Sequence, residues 1–258
     1  TWNRYLAASQ AVQGRRIMTG TVNGDPWGYR EILIVKKNDA CTLAQLTHEI
    51  LSPSSPATLE LHDTVVGKNS RYTFRLRRKP TDASWALTSH ANEGREASSL
   101  PNFAETALTL GPRVALQPIP VLLADKSVRL VSFARHGSAR QANEYELTFE
   151  VQQPYGTIWA QAILDADRYW LVARGSFEIR NRESKPMVTG TTTSTFTNDL
   201  DLPLLKERLT VYTESFPGRS ALHYSVKEIF DRTVPKQLPR NDEFTLSAFG
   251  LPEPYGVT

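Results

Sequence analysis

The chain has 258 residues, of which 40% are hydrophobic and 22% charged, the balance of a globular protein with a sizeable core rather than a disordered one. Thirty Lys and Arg against 27 Asp and Glu leave a net charge of +3, too small to imply a nucleic-acid partner, so any basic patch is local. Cys41 is the single cysteine, which excludes an internal disulfide and hence a small stapled scaffold.

Along the chain, Trp2, Tyr5, Leu6 and Val12 share one side of a helix over residues 2–13, and Gly14 supplies its stop. From Ile17 the period changes to two. Ile17 to Val22 and Tyr29 to Lys36 read as a hairpin around Asn23-Gly24-Asp25-Pro26. Strands follow at 41–51, 57–66, 71–79 and 84–90, separated by turn-forming clusters such as Ser52-Pro53-Ser54-Ser55-Pro56. The polar run Asn92 to Glu96 leaves the sheet. Helical pieces are expected at 103–110 and 120–126, the second with Pro120 in its first turn.

A second strand series occupies 128–133, 144–151, 157–163, 170–180, 187–196, 209–213 and 221–229. Its first member places apolar residues at Val128 and Leu130 and then at Val131 and Phe133. That one-residue slip predicts a bulge or an edge. Residues 1–234 are expected to form one domain, and 235–258 a tail that docks through Phe244, Leu246, Phe249 and Leu251. The fold class is therefore mainly β with a few helices.

Strict alternation splits the densest basic segment, Arg71 to Lys79, into two faces. Arg71, Arg75 and Arg77 face solvent while Tyr72, Phe74 and Leu76 face the core. A single-strand nucleic-acid reader needs cations and aromatics on one surface, so this segment is no such reader. Asp165 and Asp167 read as turn formers rather than as an acid–base pair or a calcium site, and Asp199 and Asp201 take the same reading. The five histidines, at 48, 62, 90, 136 and 223, have no metal-ligand spacing, and His48-Glu49 lacks the second histidine of a zinc-protease motif. No Gly-x-Ser-x-Gly elbow and no phosphate loop is present. Cys41 reads as a buried thiol. No cofactor, metal or catalytic residue is assigned.

The stretch Ala160-Gln161-Ala162-Ile163-Leu164-Asp165-Ala166-Asp167-Arg168-Tyr169-Trp170, and the order of helix, meander, short helices and second meander around it, resembles the periplasmic lipoprotein-carrier superfamily. That family comprises the outer-membrane lipoprotein-sorting proteins and related lipoprotein-binding domains. The ending from Glu243 to Pro254 is similar to that of a group of exported bacterial proteins with this layout. The resemblance implies a large curved antiparallel sheet, an incomplete barrel with helices covering its concave side. It also implies a periplasmic or otherwise extracytoplasmic location, reached after removal of an N-terminal signal outside this chain. On this basis Tyr72, Phe74, Leu76, Tyr145, Leu147 and Phe149 are the expected lining of a hydrophobic ligand cavity, although the same side chains equally fit a filled core.

Three functions stay open at this point. The first is a non-enzymatic binding protein whose partner is a hydrophobic small molecule or acyl chain. The second is an interaction module for a membrane-associated or extracytoplasmic protein, with an exposed patch near Trp27 or the tail. The third, ranked last, is a hydrolase built on His90 or His223 with an acidic partner.

Overall fold

A computed structural model describes residues 13–52, 61–92, 113–114, 117–137, 143–197, 203–233 and 237–254. Residues 2–12 of the helix expected at 2–13, the helix expected at 103–110, and the acidic pair Asp199 and Asp201 lie outside the described residues; Gln13, expected to end the first helix, instead begins a strand. The strands are β1 (Gln13–Val22), β2 (Asp25–Pro26), β3 (Tyr29–Lys37), β4 (Thr42–Ile50), β5 (Asp63–Lys68), β6 (Tyr72–Arg78), β7 (Ala86–Asn92), β8 (Arg113–Val114) and β9 (Gln117–Pro118). After helix α1 (Ile119–Leu123) come β10 (Arg129–Arg135), β11 (Glu144–Gln153), β12 (Gly156–Asp165), β13 (Leu171–Asn181), β14 (Pro186–Thr197), β15 (Leu204–Glu214) and β16 (Leu222–Thr233). Short 3-10 turns occupy Ala166–Arg168, Asn241–Phe244 and Leu246–Phe249.

The large antiparallel sheet and the small helical share agree with the fold class read from the sequence. Fourteen strands join one sheet in the order β10-β11-β12-β13-β14-β15-β16-β1-β3-β4-β5-β6-β7, with β2 beside β1. The path has two ends, so the sheet is open. The alternating segments 144–151 and 157–163 are strands as expected, and each extends a little further. The slip at Leu130 and Val131 is a bulge, and β10 is an end strand of the sheet. Helix α1 is shorter than the expected 120–126, ending at Leu123 before an Asp125 turn that Ser127 closes through its N–H and hydroxyl.

The described residues divide into two compact units, one containing 20–26, 113–114, 117–137, 143–197 and 203–229, the other 13–19, 27–52, 61–92, 230–233 and 237–254. In the first unit, register sets Leu130, Phe149, Ala160, Phe177, Gly190, Tyr212 and Tyr224 in one cross-strand row. A Cβ on Gly190 would lie 2.6 Å from the Phe177 ring, so glycine there makes room for the phenylalanine. On the same face Ile119 and Leu122 of α1 pack against Leu147, Phe149, Ile158 and Ala162.

The second unit uses the same device. Gly67 lies opposite Phe74, and a Cβ there would fall 2.3 Å from the ring. Phe74 is wholly buried among Leu43, Val65, Tyr72 and Leu76, while Arg71, Arg75 and Arg77 of the alternate face are exposed. Cys41 is buried in this cluster, and burial pushes its thiol up.

Candidate functional site

The six residues expected to line a ligand cavity fall into two groups. Tyr72, Phe74 and Leu76 belong to the second unit, and Tyr145, Leu147 and Phe149 to the first. The two apolar surfaces are covered differently.

Over Tyr72, Phe74 and Leu76 lies the C-terminal segment. Phe244 and Leu246 are buried against them, with Phe249 and Leu251 beside them. Phe249 meets the edges of the Phe74 and Trp85 rings at 6.1 and 6.0 Å. Polar bonds fix the segment in place. Asn69 Nδ2 donates to the Phe244 carbonyl at 2.9 Å, the Leu246 N–H donates to the Tyr72 hydroxyl at 3.0 Å, and that hydroxyl donates to Glu253. Lys36 Nζ pairs with Glu243 at 2.7 Å. The tail's apolar residues were legible in the sequence; the polar groups that receive them, Asn69 and the Tyr72 hydroxyl, were not.

Two carboxyls in this segment titrate low. Burial pushes Glu253 up, but hydrogen bonds from the Tyr72 hydroxyl and the Ser247 N–H outweigh it and hold the carboxyl below its usual range. Glu243 is held low by the Lys36 ammonium and the Arg240 N–H. A folded value below the unfolded one contributes stability that is complete above the ordinary carboxylate range. That contribution is lost as pH falls through the folded value. Acidification is therefore expected to loosen the segment, read as a change in Trp85 fluorescence when Phe249 departs, and Glu253→Gln is expected to flatten that pH dependence.

The surface around Tyr145, Leu147 and Phe149 stays open on one side. Register places Leu130 opposite Phe149, Phe133 opposite Leu147 and Arg135 opposite Tyr145, so these three edge residues share the face of the core. Phe149 is fully buried, whereas Leu130 is 61% exposed and Phe133 50%. The apolar face thus emerges from the core and ends in solvent at β10. Phe133 stacks on Tyr145 at 5.5 Å, and the Trp170 ring lies 4.9 Å from Tyr145 and 6.0 Å from Phe133.

The backbone positions Trp170. Asp165 caps the turn Ala166–Arg168 by accepting from the Asp167 N–H, the turn-forming role its sequence context predicts. Tyr169 and Trp170 then adopt left-handed conformations with φ of 57° and 62°. Such conformations cost of order 1 kcal/mol each for side-chain-bearing residues, and here they carry the indole onto the tyrosine. Trp170, Phe133 and Leu130 were absent from the sequence-derived lining; the apolar slip at β10 and the aromatic exit from the Asp165 turn were the signals that mark them.

The opposite face of this unit mixes polar side chains with exposed Leu209 and Val211. A shallow depression of 380 Å³ is lined by His136, Glu146, Gln161, Arg174, Ser176 and Thr191 among others. His136 Nδ1 lies 3.4 Å from Glu146, Arg174 pairs with Glu144 at 3.1 Å, and Ser176 donates to Gln161 at 3.2 Å. These groups largely satisfy one another. The histidines weighed for hydrolysis are not brought to a carboxylate by any described contact: His223 Nδ1 meets the Thr213 hydroxyl at 2.9 Å, and His90 packs against the Tyr72 ring. His48 does meet an acid, lying 3.3 Å from Asp63, which also accepts from Arg78 at 3.0 Å and from the His48 N–H at 2.9 Å. This cluster ties β4, β5 and β6 together. Among the described residues, no three His, Cys, Asp or Glu side chains gather as a metal site, and no helix is long and apolar enough to cross a membrane.

No family model matches the sequence, and no curated protein matches it. Among solved structures, the chain is similar to a Vibrio parahaemolyticus domain described as that of an outer membrane lipoprotein-sorting protein. The two are 9% identical, with a TM-score of 0.49 over 96% of each chain.

Proposed function

We propose that this chain is a non-enzymatic, extracytoplasmic binding protein that holds a hydrophobic ligand, a lipid or the acyl chain of a lipoprotein, against an apolar sheet face. The observation that carries this reading is the row that runs from buried Phe149 to exposed Leu130, flanked by buried Leu147 and half-exposed Phe133. A continuous apolar strip that reaches solvent lets a chain settle without first opening the core. Burial contributes about 25 cal/mol per Å² of apolar surface removed from water, so a flexible chain needs few polar contacts to bind. Tyr145 and Trp170 complete the wall, and no cofactor is required.

In the second unit Tyr72, Phe74 and Leu76 offer a comparable surface whose occupant is the protein's own C-terminal segment. A ligand there would have to displace Phe244 and Leu246, which makes the first unit the preferred seat.

A second reading, an interaction module for another extracytoplasmic protein, is favoured by one observation: all seven residues of β10 are exposed on an end strand of the sheet. Such an edge can accept an added strand. Bound-ligand analysis of protein purified without detergent separates the two readings. The binding reading expects an acyl lipid that Phe133→Ser diminishes; the interaction reading expects none.

A further inference from the structure

The edge strand on which the apolar strip reaches solvent also carries a cation. Arg135 is exposed at the end of β10, and among the described residues it makes no ion pair. Its row mates across the sheet are Tyr145, Leu164 and Val172, none of them charged at neutral pH. The nearby carboxylates of β11, Glu144 and Glu146, alternate to the opposite face, where Arg174 and His136 engage them. Asp165, at the end of β12, lies 3.5 Å from Arg168. Register therefore sets Arg135 on the same sheet face as the aromatic cluster of Phe133, Tyr145 and Trp170, where no carboxylate is paired with it among the described residues.

From there the apolar face continues along the same edge strand through Phe133 to Leu130. Five residues of extended strand span about 16 Å, enough for a single acyl chain to lie along the surface. A charged group at one end of an exposed apolar run, which at Leu130 adjoins buried Phe149, is the pattern that an amphiphile complements. A cation selects the sign of its head group.

We propose that the ligand of this site is a single-chain anionic amphiphile, with its carboxylate or phosphate at Arg135 and its chain along Phe133 and Leu130 toward Phe149. The inference rests on the binding reading above and adds the charge of the ligand to it. Guanidinium donates to either anion in a fork, so a fatty acid and a lysophospholipid share the required chemistry.

The test is a titration of the full chain, below micelle-forming concentrations, with dodecanoate, a dodecanoyl lysophosphatidylglycerol and the neutral monododecanoylglycerol, read by calorimetry. Both anions are expected to bind roughly 2- to 5-fold more tightly than the neutral ester, the scale of one solvent-exposed charge contact. Arg135→Gln is expected to abolish that preference and leave the neutral ester's affinity unchanged, and Arg135→Lys to retain most of it. Whichever anion binds more tightly identifies the head group. Equal affinities for all three in the native protein, or a preference that survives in Arg135→Gln, overturns the assignment of charge while leaving the binding function intact. Failure of all three to bind overturns the binding reading and this inference with it.

Discussion

Replacing Phe74 by alanine is expected to destabilise the protein by about 3–5 kcal/mol, the range for removing a fully buried aromatic from a packed core. The ring has no exposed surface. It fills the space that Gly67 vacates on the neighbouring strand, where even a Cβ would approach it to 2.3 Å. Backbone on that side cannot collapse into the cavity without breaking the β5–β6 ladder, so relaxation recovers little of the loss. Phe249 also rests on the ring, and the substitution removes part of the seat of the C-terminal segment. Equilibrium urea unfolding measures the destabilisation, and the Trp85 signal reports the segment separately. A loss below about 1 kcal/mol would mean that the tail or its neighbours refill the site.

The second large effect concerns a buried ion pair. Arg208 on β15 and Glu228 on β16 are register partners whose side chains are 3% and 7% exposed, and Arg208 Nε donates to Glu228. Thr192 and Thr210 share a hydrogen bond of 3.2 Å on the same face. Glu228→Ala leaves the guanidinium buried without its carboxylate, an arrangement that costs about 3–5 kcal/mol. Removing both charges, as Arg208→Met with Glu228→Leu, spares the desolvation of both ions, so the double variant is expected to be more stable than Glu228→Ala. Thermal unfolding of the two variants side by side checks the order. The reverse order would show that the pair contributes more than the cost of burying it.

Much of the fold was legible because strands advertise themselves by period. Tyr145, Leu147, Phe149 and Val151 lie on one face as the alternation required, and Arg75 and Arg77 are solvated above buried Phe74 and Leu76. The bulge at Leu130 and Val131 was readable because a one-residue slip exchanges the two faces of a strand. Helix α1 was placed by Pro120 but overextended, since the turn at Asp125 depends on a hydrogen bond from Ser127 that periodicity does not encode.

The candidate site was legible only in part, for a physical reason. Alternation identifies which side chains share a face; it does not say what covers that face. Tyr72 and Tyr145 read alike in the sequence, yet one lies under Leu246 and Glu253 and the other stacks with half-exposed Phe133 at an open edge. That difference arises from contacts more than 170 residues apart in the chain in the first case and from the position of β10 at the end of the sheet in the second. Local patterning carries neither.

In the proposed function, the apolar strip running out to β10 holds a hydrophobic chain. Native mass spectrometry of protein purified without detergent, followed by extraction and lipid analysis of whatever is bound, tests it most directly. The expected result is a mass increment from an acyl lipid that is extractable, stoichiometric and reduced in Phe133→Ser. A ligand-free mass in the native protein that stays unchanged on adding acyl lipid, or a bound lipid indifferent to Phe133→Ser, would contradict it.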